Sequence, residues 1–101
     1  MQIEFKGNNK WRELYEIYKK QRISKLPANT EQGFLDAVDS LRVAHTLNDL
    51  NEMKSLHLEK YKGWKYKGKY SVRCDKQFRL IFSVETSPEF ILVLEEVTDP
   101  H

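Results

Sequence analysis

Cysteine is nearly absent from this 101-residue chain: Cys74 stands alone. One cysteine cannot staple a small fold, and it cannot by itself cage a zinc ion. That usage fits a reducing cytoplasm. Long apolar runs are missing too, and nothing approaches the roughly 20 residues needed to span a bilayer. The start, Met1-Gln2-Ile3-Glu4-Phe5, lacks the charged-then-apolar order of a signal peptide. Only four glycines occur, all scattered, so no glycine-rich phosphate loop exists. The three histidines, His45, His57 and His101, have no carboxylate or cysteine partners at ligand spacing, which leaves no expected metal site. Nothing resembles a nucleophile elbow. No cofactor is implied.

What is present is uneven charge. The formal net charge is only +2. Yet Leu56–Leu80 carries eight basic residues (Lys60, Lys62, Lys65, Lys67, Lys69, Arg73, Lys76, Arg79) against two acids, Glu59 and Asp75. From Glu85 to Asp99 there are five acids and no base. A concentrated basic patch attracts polyanions by counterion release. The plainer reading is a solvated lysine-rich hairpin.

Length allows one domain, residues 1–101. Gln2–Phe5 alternates as a short edge strand does, and Gly7-Asn8-Asn9 breaks it. Trp11, Leu14, Tyr15 and Tyr18 recur at helical spacing, and Pro27 closes that segment. A second helix is predicted with Asn29 as cap, Gln32 closing the capping box, and the stripe Phe34, Ala37, Val38, Leu41, Ala44. Thr46 and Asp49 predict a third, short helix through Leu47, Leu50 and Met53. From Trp64 the period becomes two: Trp64, Tyr66, Tyr70, Val72 and Cys74 alternate with Lys65, Lys67, Lys69, Ser71 and Arg73. Asp75-Lys76-Gln77 reads as a tight turn. Phe78–Val84 and Phe90–Val97 read as central strands, because apolar residues occupy both of their faces. The expected class is α+β: two to three N-terminal helices packed on a small antiparallel sheet of about four strands.

If Ser71–Cys74 pairs with Phe78–Ser83 about a centre at Lys76, Arg73 lies across from Arg79 and Ser71 across from Ile81. Two arginines on one sheet face repel unless an anion or acid stands between them. Arginine's planar fork suits phosphate, and that is the expectation for Arg73, near the strand end. For Arg79, among apolar neighbours, the expectation is a structural charge pair with Glu95 or Glu96. His45, just after a helix, reads as a partner of the helix C-terminal dipole. Trp64 and the tyrosines, interleaved with lysines, read either as base-stacking groups or as the second face of the sheet.

The run Tyr70-Ser71-Val72-Arg73-Cys74-Asp75-Lys76-Gln77-Phe78-Arg79-Leu80-Ile81-Phe82 resembles the hairpin of HigB-type toxins in the RelE/ParE superfamily. Leu56-His57-Leu58-Glu59-Lys60, then Lys62-Gly63, is similar to that family's Leu-His-x-Leu-Lys-Gly segment, and Val97-Thr98-Asp99-Pro100-His101 resembles its terminal Asp-Tyr-His. The three pieces occur in order over about two thirds of the chain. The resemblance implies a RelE-like microbial RNase fold and a ribosome-dependent mRNA endonuclease without metal, held by a helix-turn-helix antitoxin. It implies His57 as base or RNA contact, Lys60 or Lys62 as charge stabiliser, Arg73 on the scissile phosphate and His101 as acid. Imidazole, with an unperturbed pKa of ~6.5, suits proton transfer at cellular pH. RNA contacts would come from Lys65, Lys67, Lys69, Tyr66, Tyr70 and Lys76. Pro100 departs from the pattern by replacing a tyrosine, and the connection from His57 to Ser71 is longer than usual. The alternative is a relative without nuclease activity: a gyrase poison of the ParE kind, or a module that binds RNA or its antitoxin.

Overall fold

A computed structural model describes residues 1–7, 11, 12, 14, 15, 27–63, 65–86 and 90–99. The elements are β1 (Gln2–Phe5), α1 (Ala28–Val43), α2 (Leu47–Glu52), a 3₁₀ turn (Lys54–Leu56), β2 (Glu59–Lys60), β3 (Tyr70–Arg73), β4 (Arg79–Glu85) and β5 (Ile91–Thr98). Trp11, Arg12, Leu14 and Tyr15 are also helical. The class is α+β, as expected. The sheet, however, has five strands in the order β1-β5-β4-β3-β2. It is mixed, because β1 runs parallel to β5 while every other pair is antiparallel. The extra strand, β2, is two residues long, too short to show a period.

The apolar stripe of α1 behaves as its spacing requires: Phe34, Ala37, Val38, Leu41 and Ala44 are all buried. They meet Val72, Leu80, Phe82, Leu92, Leu94 and Val97 from one face of the sheet, with Trp11, Leu14 and Tyr15 in the same cluster. Tyr18 lies outside the described residues. Burying each large side chain of this kind contributes about 1.5–3 kcal/mol. The predicted cap of α1 is not the observed one. The helix starts one residue before Asn29, its N-cap is Pro27, and no side chain caps it. Gln32 instead bonds Asp36 one turn on, at 3.0 Å. Pro27 takes the cap position with an extended backbone, ψ 149°. The capping box of α2 is as predicted: Thr46 accepts from the Asp49 N–H, and the Asp49 carboxylate accepts from the Thr46 N–H. The Asp49 carboxyl is held below its ordinary range, chiefly by the His45 N–H, which donates to it at 2.9 Å. His45 is thus part of this cap by its backbone.

One glycine sets the distance between helix and sheet. A Cβ at Gly33 would lie 1.8 Å from the Cys74 carbonyl oxygen, so only glycine lets α1 press on the end of β3. Thr30, one turn earlier, donates its hydroxyl to the Asp75 carboxylate. The first turns of α1 are therefore locked to the β3–β4 turn.

A candidate phosphate site on the open face of the sheet

The β3–β4 register is the one that the sequence implies: Ser71 faces Ile81 and Arg73 faces Arg79. Asp75 shapes the turn, because one of its oxygens accepts from the Gln77 and Phe78 N–H groups, each at 2.8 Å. Burial pushes the Asp75 carboxyl up, but the N–H groups of Phe78 and Gln77 and the Thr30 hydroxyl outweigh it, so the pKa is lowered overall. Strand alternation sends Val72, Leu80 and Phe82 to the helices. It sends Ser71, Arg73, Arg79, Ile81 and Ser83 to the opposite face, the open one, where Ser71, Arg79 and Ile81 are nonetheless buried and Arg73 and Ser83 are part-exposed.

Arg79 is buried, and its bonds are structural. Its Nε donates to Ser71 Oγ at 2.7 Å, and one terminal nitrogen donates to the carbonyls of His57 and Ser71. The predicted charge pair with Glu95 or Glu96 does not form; among the described residues Arg79 has no ion pair. In the observed register Thr98 lies opposite Arg79 and Glu96 opposite Ile81, and a register shift between Ile81 and Phe82 leaves Glu95 as an extra residue on β5. Glu95 is instead bound by the Lys69 ammonium and the Ser83 hydroxyl, with Lys6 at 3.5 Å. Lys69, expected to touch RNA, thus has its charge taken within the sheet. Arg73 differs from its cross-strand neighbour. It is part-exposed, and among the described residues it makes no hydrogen bond or ion pair.

His57 ends the 3₁₀ turn with a left-handed backbone, φ 48°, the only positive φ of a non-glycine residue among those described. Such a conformation costs of order 1 kcal/mol or more outside glycine. The bond from Arg79 to its carbonyl holds it there, at the rim of the open face, with its side chain exposed. Lys60 falls elsewhere. It pairs with Tyr70, so both point to the helix-covered side, and its ammonium sits 5.5 Å from the Tyr70 ring. Lys60 therefore does not converge with Arg73, because partners on neighbouring strands share a face and residues 70 and 73 do not. Tyr70 itself stacks on Phe82, ring centroids 5.7 Å apart, and packs part-buried against the core. Lys62 is exposed beyond the end of β2.

The strand predicted from Trp64 begins only at Tyr70. Residues 65–68 form a turn, with Gly68 at φ +81°; Trp64 lies outside the described residues. Lys65 sits over the Tyr66 ring, 5.3 Å away, and Lys67 and Lys76 are exposed. His101, the expected acid, and Pro100 lie outside the described residues, but Asp99 accepts from Gln77 at 3.0 Å, tying the end of β5 to the β3–β4 turn. Burial pushes the Cys74 thiol up to about 12, which keeps this part-buried side chain protonated at neutral pH, packed against the core. No group of three or more metal-ligating side chains occurs among the described residues, and none of their helices is long and apolar enough to cross a membrane. Ser71 escapes a reading of the sequence as a site residue. Ser71 carries one weak signal, a hydroxyl on the same face as two arginines.

A groove of about 670 Å³ lies at the far edge of the sheet, lined by Ile3, Phe5, Tyr15 and Arg42 among others. Three inter-strand spacings, or about 14 Å, separate β1 from β3, so the groove does not belong to the arginine site.

The comparisons with known proteins agree with this architecture. A solved structure, the YoeB/ParE toxin from Agrobacterium tumefaciens, superposes with a TM-score of 0.57 over 100% of both chains at 17% identity, a likeness of fold. No curated protein matches. The family described as RelE-like toxin of type II toxin–antitoxin system HigB matches residues 4–101. With nearly the whole chain covered, this protein belongs to the HigB-like toxins of type II toxin–antitoxin systems, and membership implies an antitoxin partner.

Proposed function

We propose that the protein is a ribosome-dependent mRNA endoribonuclease, active in the cytoplasm and cutting by acid–base chemistry. One observation carries this reading. Two arginines face each other across β3 and β4; Arg79 is buried and bonded to a hydroxyl and two carbonyls, whereas Arg73 is part-exposed and makes no hydrogen bond or ion pair among the described residues. In this reading Arg79 builds the floor and Arg73 grips a phosphate in bidentate fashion. His57, whose backbone carbonyl accepts from Arg79, takes the proton from the ribose 2′-OH as that oxygen attacks the adjacent phosphorus. Arg73 stabilises the charge that develops on the non-bridging oxygens. The 5′ oxygen leaves with a proton, supplied by His101 in the assignment that the family resemblance implies. A 2′,3′-cyclic phosphate and a free 5′-hydroxyl result. Lys62, Lys65, Lys67 and Lys76 supply the surrounding positive field, and the partner would be a helix-turn-helix antitoxin.

Mapping the 5′ ends of cellular mRNA after induction tests the reading. Wild type cleaves, while Arg73→Ala, His57→Ala and His101→Ala lose most of the cleavage; an uncut transcriptome with wild type, or full cutting by all three variants, would sink it. The position of Lys60 over Tyr70 favours a second reading, a fold-mate that binds rather than cuts, because it removes one expected charge stabiliser from the site. A DNA supercoiling assay with purified gyrase detects that alternative.

A further inference from the structure

Between β2 and β3 the chain makes a basic, aromatic excursion that the arginine site leaves unused. No acid occurs from Lys60 to Cys74. The ladder continues one residue past β2, where the Tyr61 N–H donates to the Lys69 carbonyl at 2.8 Å. Gly68 N–H returns to the Tyr61 carbonyl at 3.1 Å, and Lys69 N–H bonds the Tyr66 carbonyl at 2.9 Å. Lys69 is tied in turn to Glu95 on the open face. The excursion is thus anchored at its base. Continued alternation puts Tyr61 with Glu59 and Ser71, on the same face as Arg73.

Tyr61 and Tyr66 form a ring pair there, centroids 5.3 Å apart and planes tilted by 47°. Neither belongs to the hydrophobic core. The Tyr61 hydroxyl is buried without any hydrogen-bond partner, so that ring is held in place by contacts other than its own polar group. Tyr66 is half-exposed, its ring is already visited by the Lys65 ammonium at 5.3 Å, and Lys62 and Lys67 of the same excursion are exposed. An anchored aromatic segment that carries cations and no acid of its own is suited to sequence-tolerant binding of single-stranded nucleic acid, bases on rings and phosphates on lysines.

We infer that the Tyr61–Tyr66 pair is a nucleobase-stacking platform for single-stranded RNA, with Lys62, Lys65 and Lys67 holding the phosphates that flank the stacked base. Its place relative to the cut rests on the nuclease reading above. Four residues of β3 separate Lys69, opposite Tyr61, from Arg73, about 13 Å at strand rise. That is more than one nucleotide can bridge, so the platform takes a base neighbouring the one cut. Tyr61 packs against Tyr66, and a stacked base takes the place of the Lys65 ammonium on the half-exposed Tyr66 ring.

The test is binding of oligouridine RNA that carries a single 2-aminopurine, moved along the strand, read as fluorescence quenching with the full-length protein in the Arg73→Ala background. Quenching is expected at one position only. Tyr66→Phe keeps it, whereas Tyr66→Ala and Tyr66→Leu lose it and weaken binding by about tenfold, the range for one base stack. Tyr66→Leu retains apolar volume, so a loss shared with Tyr66→Ala in folded protein assigns the effect to the ring. Lys65→Ala lowers the salt dependence of binding and leaves the quenched position unchanged. Unaltered affinity and quenching in Tyr66→Leu overturn the platform, whatever the cleavage assay shows. Conversely, an uncut transcriptome with Tyr66-dependent quenching removes the nuclease reading and leaves the platform standing.

Discussion

The two faces of the sheet share the same strands and use them in opposite ways. On the helix side Val72, Leu80, Phe82, Leu92 and Leu94 are buried against α1, and even Lys60 is drawn there to lie over Tyr70. On the open side polar groups are bonded to one another: Arg79 with Ser71 and the His57 carbonyl, Glu95 with Lys69 and Ser83. The difference teaches that a basic residue on this chain is not automatically an RNA contact. Arg73 and Arg79 sit side by side, yet Arg79 is bonded into the fold whereas Arg73 makes no hydrogen bond or ion pair among the described residues.

The comparison can be broken most severely through the contact that unites helix and hairpin. Gly33→Ala places a methyl against the Cys74 carbonyl and should cost about 3 kcal/mol or more, read as a lowered urea midpoint at unchanged slope. Stability within 0.5 kcal/mol of wild type would show that α1 does not rest on β3 as described. Next, Arg79→Ala should destabilise by about 1–3 kcal/mol, since it strips partners from the His57 carbonyl and the Ser71 hydroxyl, whereas Arg73→Ala should leave the urea midpoint nearly unmoved. In cleavage the contrast reverses in character. Arg73→Ala should lose about 10²-fold or more at full stability, a loss of transition-state charge stabilisation. Equal destabilisation by both changes would erase the distinction between them.

Lys60→Ala sharpens the same contrast from the other face. Its ammonium lies over Tyr70, an exposed cation–π contact worth about 0.5–1 kcal/mol, so it should cost only a little stability and leave cleavage close to wild type. A collapse of cleavage with normal folding would put Lys60 back into the site. The smallest effect is the pH profile of stability. Asp49 and Asp75 have folded pKa values below their ordinary ones, so their contribution is present above about pH 4 and fades as pH falls through the folded values. Cys74, raised to about 12, works the other way: its contribution is complete below its unfolded value near 8.5 and fades as pH climbs toward the folded one. Asp75→Asn should flatten the acid limb, and Cys74→Ser the alkaline limb.

Much of the fold is legible in the residues. The stripe from Phe34 to Ala44, the Thr46–Asp49 box and the hairpin centred on Lys76 can each be read locally, because each rests on interactions a few residues apart. The strand start is not: Trp64 to Lys69 alternates like a strand, but residues 65–68 turn back. Nor is the helix cap, where Pro27 displaced the expected Asn29. In the site, the pairing of Arg73 with Arg79 follows from parity and turn position. The fate of Lys60, Tyr70 and Lys69 does not, because it depends on which strand lies beside them and on a bulge in β5.

Taken alone, the chain determined an α+β domain, a hairpin that brings two arginines together, and a basic segment without acids, since periodicity, turn chemistry and composition are local properties. Only the tertiary structure decided which arginine is bonded into the fold, which lysines reach the open face, and that β1 pairs in parallel with β5. Those outcomes depend on long-range register, and a shift of one residue moves every side chain of a strand to the other face.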